Sequence, residues 1–239
     1  MADKRKKHMS KLPELLEMLK SGVHFGHQSS KRYPKMKPFV HTTRNKIDII
    51  NLEETAQKLA EALEFVTKIV SQGGTVLFIS SKRQAKKIIK EQAEACGMPY
   101  INSRWLGGTF TNFASVKGLT KRLKDLEAKE QSGELEKYTK KEHLDFLKEI
   151  EKLNELVGGI KEMNRLPEAV FMIDIKKERT ALAEALKREV PVIALVDTNV
   201  NPEKIKYPIP GNDDAVKSIE LITQTISQAI SEVKAQVKE

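Results

Sequence analysis

The chain has 239 residues, of which 39% are hydrophobic and 31% are charged. This balance is too apolar for a disordered chain and too polar for a membrane protein, and the length suits one generous domain or one domain with an insertion. No apolar run in the sequence reaches the ~18 residues that a membrane span needs, and no secretory signal is visible. Cys96 is the single cysteine, which excludes an internal disulfide and indicates a reducing, cytoplasmic compartment.

The net charge of +9 is concentrated at the start of the chain. Residues 1–50 contain 12 Lys and Arg against 4 Asp and Glu, whereas the remaining residues are almost neutral. A localised basic segment on a near-neutral body is typical of a protein that binds a phosphate backbone. Residues 1–11 are expected to form a basic flexible tail, which by itself indicates little.

The first predicted elements surround a basic loop. Leucines at helical spacing predict a short helix over residues 12–21. A loop rich in histidine and cations is expected over residues 23–46, and a short strand over residues 47–50. Asn51 then stands where a side chain that caps the next helix is expected.

Three apolar runs, each followed by a helical pattern, indicate strand and helix units. The runs are 76–79, 169–174 and 192–197, and the helices are expected over 82–95, over 178–188 and from Asp214 onward. Continuous β-branched runs that alternate with helices predict an α/β fold whose parallel sheet is buried on both faces.

Residues 115–160 have a different pattern. Two seams of apolar residues at intervals of three and four, separated by a polar turn, predict an antiparallel helical hairpin. Its 10 basic and 10 acidic residues make it a poor phosphate clamp. The hairpin is interpreted either as a surface for protein contacts or as a structural spacer.

The sequence offers few candidates for catalysis. It contains no glycine fingerprint for a dinucleotide, no phosphate-binding loop and no serine in a nucleophile elbow. Asp174 and Asp197 each close an apolar run, at the strand end where an α/β enzyme places its carboxylates. Their alternative role is structural, as caps of the turns that follow. Cys96 has no obvious base nearby and is interpreted as a small buried residue at a helix end.

Several polar residues are candidates for anion or metal binding. His24 and His27 could share a metal, but no third and fourth ligands occur at a recognisable spacing, so hydrogen bonding to backbone or phosphate is favoured. Trp105, beside Arg104, could stack on a base or pack in the core. Lys82 opens a basic cluster at an expected helix start, where an anion would be favoured.

Four blocks of sequence closely resemble a known family, the second protein of the small ribosomal subunit in its bacterial form. The blocks are 22–28, 34–38, 104–113 and 197–214, and they occur in the family's order. The resemblance implies a nucleotide-binding-like (flavodoxin- or Rossmann-like) three-layer α/β domain, formed by 12–109 and 161–239, without enzymatic activity. It further implies that a coiled-coil hairpin is inserted at 110–160. Such a protein would bind 16S rRNA in the cytoplasm and contact neighbouring small-subunit proteins, including the large mRNA-binding protein.

The sequence therefore predicts a structural, rRNA-binding protein with no cofactor, no metal, no membrane partner and no small-molecule substrate. The alternative is a nucleotide- or sugar-phosphate-dependent enzyme that uses Asp174 and Asp197, and a third possibility is a scaffold that binds proteins alone through the hairpin. The candidate RNA-binding residues are His24, His27, Lys31, Arg32, Lys35, Lys37, Arg44, Lys82, Arg83, Lys86 and Arg104.

Overall fold

A small antiparallel sheet lies near the start of the chain in the computed structural model, which describes residues 12–237. Its strands lie in the order β1-β3-β2. The expected loop over 23–46 is thus partly wrong, since it contains two strands and two 3₁₀ turns. The elements of this region are α1 (Leu15–Lys20), β1 (Phe25–Gln28), 3₁₀ turns at Ser29–Lys31 and Pro34–Phe39, β2 (Val40–Arg44) and β3 (Ile47–Ile50).

A five-stranded parallel sheet forms the centre of the molecule, in the order β5-β4-β6-β7-β8. When these five strands are numbered 1 to 5 along the chain, their order in the sheet is 2-1-3-4-5, which is the order of flavodoxin-like folds. Every residue of β4, β6 and β7 is buried, which confirms the α/β prediction. The strands are β4 (Val76–Ile79), β5 (Tyr100–Ile101), β6 (Ala169–Ile173), β7 (Val192–Val196) and β8 (Tyr207–Pro210).

Helices cover both faces of the parallel sheet, because alternate strand residues point to opposite sides. Phe78 and Phe171 pack with α2, α3 and α7, whereas Leu77 and Met172 pack with α4, α5 and α6. The helices are α2 (Leu52–Ser71), α3 (Lys86–Ala95), α4 (Phe113–Gln131), α5 (Lys140–Val157), α6 (Arg179–Lys187) and α7 (Val216–Val237). Within residues 12–237, no helix is both long enough and apolar enough to cross a membrane.

The ends of two helices can be compared directly with the sequence-based predictions. The Asn51 side chain accepts a hydrogen bond of 3.1 Å from the N–H of Glu53, which confirms the predicted cap of α2. The helix expected from Lys82 begins only at Lys86, and residues 82–85 form a turn in which the N–H groups of Ala85 and Lys86 donate to the Lys82 carbonyl at 2.9 Å. Cys96 follows the end of α3 and is buried, as expected.

Helices α4 and α5 are consecutive and pack against each other. Leu123 and Leu153 share a core cluster, and the Arg122 guanidinium donates to the Glu149 carboxylate at 3.0 and 3.1 Å. The Thr139 side chain caps the start of α5. These contacts establish two packed helices, while the coiled coil and the boundaries 110–160 stay predictions.

The two edge strands of the parallel sheet, β5 and β8, offer few backbone N–H donors to another chain. Strand β5 has two residues, and β8 contains Pro208 and Pro210. The N–H of Gly211 donates to the carbonyl of Val196 in β7 at 2.9 Å. Because neighbouring residues of a strand alternate in direction, the proline nitrogens lie on the outer side of β8.

Candidate nucleic-acid interface

The basic segment at 23–46 is fastened to the carboxyl ends of the parallel strands. The N–H of His27 donates to Thr198 Oγ1 at 2.9 Å, and the N–H of Tyr33 donates to the Thr198 carbonyl at 2.8 Å. Thr198 lies just after β7, and the N–H of Asn212, after β8, donates to the carbonyl of Val23 at 3.0 Å. The segment therefore covers the carboxyl ends of the strands, where α/β proteins bind ligands.

Five of the candidate cations are exposed and form no ion pair within the described chain, 12–237. Three of them lie on the basic segment, and the other two follow the carboxyl ends of β4 and β5. Lys86 has no ion pair there either but is only half exposed. The exposed cations are Lys31, Lys37, Arg44, Arg83 and Arg104.

Two other candidate cations are paired with carboxylates. Arg32 lies 3.3 Å from the Asp48 carboxylate, which is fully buried in β3 and also accepts from Thr43 Oγ1 at 2.9 Å. Lys35 lies 2.8 Å from the Glu203 carboxylate, and this hydrogen bond raises the pKa of Lys35. Both partners of the second pair are exposed, so solvent weakens that pair.

Lys82 is buried and surrounded by carboxylates, contrary to its predicted place on the basic surface. Its Nζ lies 2.7 Å from Asp213, 2.6 Å from Asp214 and 3.5 Å from Asp174. Burial alone would lower the pKa of Lys82, but Asp213 and the other carboxylates raise it. Burial raises the pKa of Asp213 to about 7, against the opposing effect of Lys82. Lys82 therefore neutralises the protein's own carboxylates and is not exposed to a phosphate.

His27 takes part in a cluster that could hold a metal ion. Its Nδ1 lies 2.9 Å from Asp197 and its Nε2 lies 3.5 Å from Asp214. One ligand atom from each of the three residues falls within 4.8 Å of the others, and such oxygen and nitrogen donors suit zinc. The hydrogen bond to Asp197 raises the pKa of His27, and the proton it favours would compete with a metal.

His24 does not join His27 in this cluster. Its ring lies 4.0 Å from the ring of Phe25, and burial lowers the pKa of His24. Among the described residues, the cluster of possible metal ligands contains His27 without His24. The two carboxylates near His27 come from loops far along the chain, which is why spacing in the sequence did not indicate them.

Asp174 and Asp197 both organise the turns that follow their strands. Asp174 Oδ1 accepts from the N–H of Lys177 at 3.1 Å, and Asp197 Oδ1 accepts from the N–H of Thr198 at 2.5 Å. These are backbone hydrogen bonds of the kind that the structural interpretation of the two aspartates predicted. They add nothing that favours the enzyme alternative.

Trp105 packs in the core, which was one of its two interpretations. Its ring meets Phe110 edge to face at 5.0 Å, and its Nε1 donates to Glu184 at 3.1 Å. Glu184 also accepts from the N–H groups of Gly108 and Phe110 at 2.7 and 2.9 Å. The loop 104–111 is thus held by one buried carboxylate, which the sequence analysis missed, and Arg104 remains exposed.

One comparison with known proteins covers most of the chain. A family model described as "Ribosomal protein S2" matches residues 18–233 of the 239. The match extends from α1 to α7 and includes both sheets and the candidate interface.

Proposed function

Because the chain belongs to the ribosomal protein S2 family, we propose that it binds 16S rRNA as a non-catalytic component of the small ribosomal subunit in the cytoplasm. Membership of the family makes it a structural protein of that subunit, with a role in translation. The observation that supports RNA binding is the group of exposed cations on the basic segment and after β4 and β5, which form no ion pair with any residue in 12–237. Each such cation that meets a phosphate releases a condensed counterion.

The carboxylates at the carboxyl ends of the parallel strands favour RNA contacts outside their own cluster. Asp174, Asp197, Asp213 and Asp214 lie close together there, and a nucleotide phosphate placed among them would be repelled. Lys82 already occupies the middle of three of these carboxylates. A polyanion is therefore bound best by the exposed cations outside this cluster, with RNA shape deciding most of the specificity.

The helices α4 and α5 are the proposed contact for proteins. Leu119, Tyr138 and Leu144 are exposed there, between 37% and 51%. We assign to this region the docking of neighbouring small-subunit proteins, including the large mRNA-binding protein. The variant Leu144→Glu should weaken that docking in a pull-down from purified subunits and leave this chain's own occupancy unchanged; unchanged docking would contradict the assignment.

RNA binding is tested by reversing two unpaired cations. Lys37→Glu with Arg44→Glu should reduce co-sedimentation with small subunits in a sucrose gradient, and the difference from the wild type should be largest at low salt, because the wild type has more salt-sensitive phosphate contacts to lose. The matched control is Lys68→Glu with Lys187→Glu, which changes charge equally at exposed sites near the opposite edge of the sheet. The control should keep normal occupancy.

The salt dependence of binding gives a quantitative check. If Lys37 and Arg44 each contact a phosphate, the slope of log affinity against log salt for a 16S rRNA fragment should become shallower by about two units. Equal slopes for the wild type and the double variant, together with normal occupancy in the gradient, would contradict binding by the basic segment.

A further inference from the structure

An open groove borders the basic segment, and the Lys35–Glu203 pair lies in its lining. It lies between the 3₁₀ turn at Pro34–Phe39 and the segment at 202–208, and has a volume of about 820 Å³. This volume is within the range of small-ligand sites, which is roughly 300–1,000 Å³. Its apolar lining consists of Pro34, Pro38, Phe39, Pro202, Ile205 and Pro208.

The floor of the groove is apolar and rigid. Four proline rings and one phenylalanine ring contribute to it, and Pro34 and Pro38 are exposed to solvent. A proline ring has almost no rotamer freedom to lose, so a ligand can be held against it at little entropic cost. Rigid apolar surfaces of this kind suit the face of a planar ring.

The rim of the groove is basic. Three lysines and one glutamate line it: Lys35, Lys37, Lys58 and Glu203. Lys58 pairs with Glu61 at 2.8 Å, and Lys35 pairs with Glu203 at 2.8 Å. Lys37 has no ion pair within residues 12–237 and is exposed. An anionic group at the mouth of the groove would therefore meet one unpaired cation and a second whose exposed pair can open.

We propose that this groove binds an unpaired nucleotide of the RNA, with the base on the floor and its phosphates against Lys35 and Lys37. The inference rests on the proposed function, since it defines which form of RNA the basic segment takes. A nucleotide combines a flat, weakly polar face with an anionic edge, which matches an apolar floor with lysines at its mouth. An acidic peptide would also meet these lysines, but RNA is favoured because the unpaired cations Lys31 and Arg44 belong to the same basic segment.

Two RNA hairpins test the proposal with the full chain. One is fully paired, and the other carries a single bulged 2-aminopurine, a fluorescent adenine analogue. The wild type should bind the bulged hairpin at least about fivefold more tightly, which corresponds to the lower end of the energy of one stacked base. The emission of the bulged base should also change on binding.

Two variants locate the base. Phe39→Leu keeps apolar volume in the half-buried position but removes the aromatic face, and Pro38→Ala removes an exposed ring. Each should lower the preference for the bulged hairpin at least twofold and leave affinity for the paired hairpin unchanged. Lys68→Gln is the control, and thermal melting verifies that the variants are folded.

The outcomes separate the groove from the wider function. Equal wild-type affinity for the two hairpins, or a preference that both groove variants retain, overturns the groove while RNA binding stands. Absence of binding to either hairpin overturns both proposals. If a glutamate-rich peptide with a central phenylalanine binds, is weakened by Pro38→Ala, and the hairpins bind equally, the groove is a protein site and the proposal is wrong.

Discussion

The Glu184 carboxylate holds the loop 104–111, and replacing it tests how much that loop depends on one residue. It accepts hydrogen bonds from Trp105 Nε1 at 3.1 Å and from the N–H groups of Gly108, Phe110 and Thr111 at 2.7, 2.9 and 3.2 Å. The Thr111 hydroxyl adds another at 3.3 Å. Glu184→Gln keeps the volume but puts an amide in place of the charge.

The expected cost follows from these bonds. Hydrogen bonds to a charged group contribute about 1.5–3 kcal/mol each, against about 0.5–1.5 kcal/mol for neutral ones, so every bond that loses the charge is weakened by roughly 1 kcal/mol. In addition, the NH₂ group of the introduced amide would face N–H donors instead of accepting from them. We expect the free energy of unfolding to fall by about 3–5 kcal/mol in urea denaturation at pH 7.

The pH dependence gives a second readout. Burial alone would raise the pKa of Glu184, but the bonds from Gly108, Phe110, Trp105 and Thr111 outweigh it and lower the pKa. A carboxyl whose pKa is lowered by folding adds stability above its unfolded pKa of about 4.3, and loses it as the pH falls through the folded pKa. The gap between wild type and Glu184→Gln should therefore narrow below about pH 4.

Two results would refute this reasoning. One is a loss below about 1 kcal/mol at pH 7, and the other is a gap that stays constant from pH 7 to pH 3. The matched control is Glu155→Gln, an exposed glutamate on α5, which should change the unfolding free energy by less than about 0.5 kcal/mol.

Two further substitutions test contacts at the carboxyl ends of the parallel strands. Lys82→Met removes the cation of Asp213, and the buried carboxyl, whose pKa is already raised to about 7, then takes up a proton at pH 7. Because protonation limits the cost of the lost pair, the free energy of unfolding at pH 7 should fall by about 1–3 kcal/mol, and no measurable loss in urea denaturation would show that the cluster relaxes freely. Gly26→Ala would place a Cβ 2.7 Å from Thr198 Cγ2, and should lower the free energy of unfolding by about 1–3 kcal/mol in thermal and urea denaturation. The control Gly107→Ala, whose Cβ would meet nothing within 4 Å, should be nearly neutral. Equal effects of the two substitutions would argue against the tight contact at Gly26.

The central sheet could be predicted because its strands are continuous apolar runs between turn signals. Strands such as 169–173 and 192–196 are buried on both faces, so each residue contributes to the signal. Strands β1 and β2 could not be predicted in this way. They lack a run of buried apolar residues, and their pairing with β3 rather than their own composition makes them extended.

The candidate site could be predicted in its overall charge but not in its pairing. A count of cations along the chain indicated the basic segment, because charge is a property of composition. Whether a given cation is free depends on partners distant in sequence. Lys82 meets Asp213 and Asp214 only in the folded chain, and Glu184 reaches a loop that lies more than 70 residues earlier. No local sequence pattern indicates contacts between residues so far apart in the chain.

The two edges of the parallel sheet have a consequence for the protein before it joins a ribosome. A strand edge with free N–H and C=O groups is a template for pairing with another chain, and exposed edges of this kind promote aggregation. Here one edge is only two residues long, and the other has proline nitrogens, which cannot donate, on its outer side. Newly made chains that await assembly are thereby discouraged from joining sheet to sheet into oligomers or fibrils.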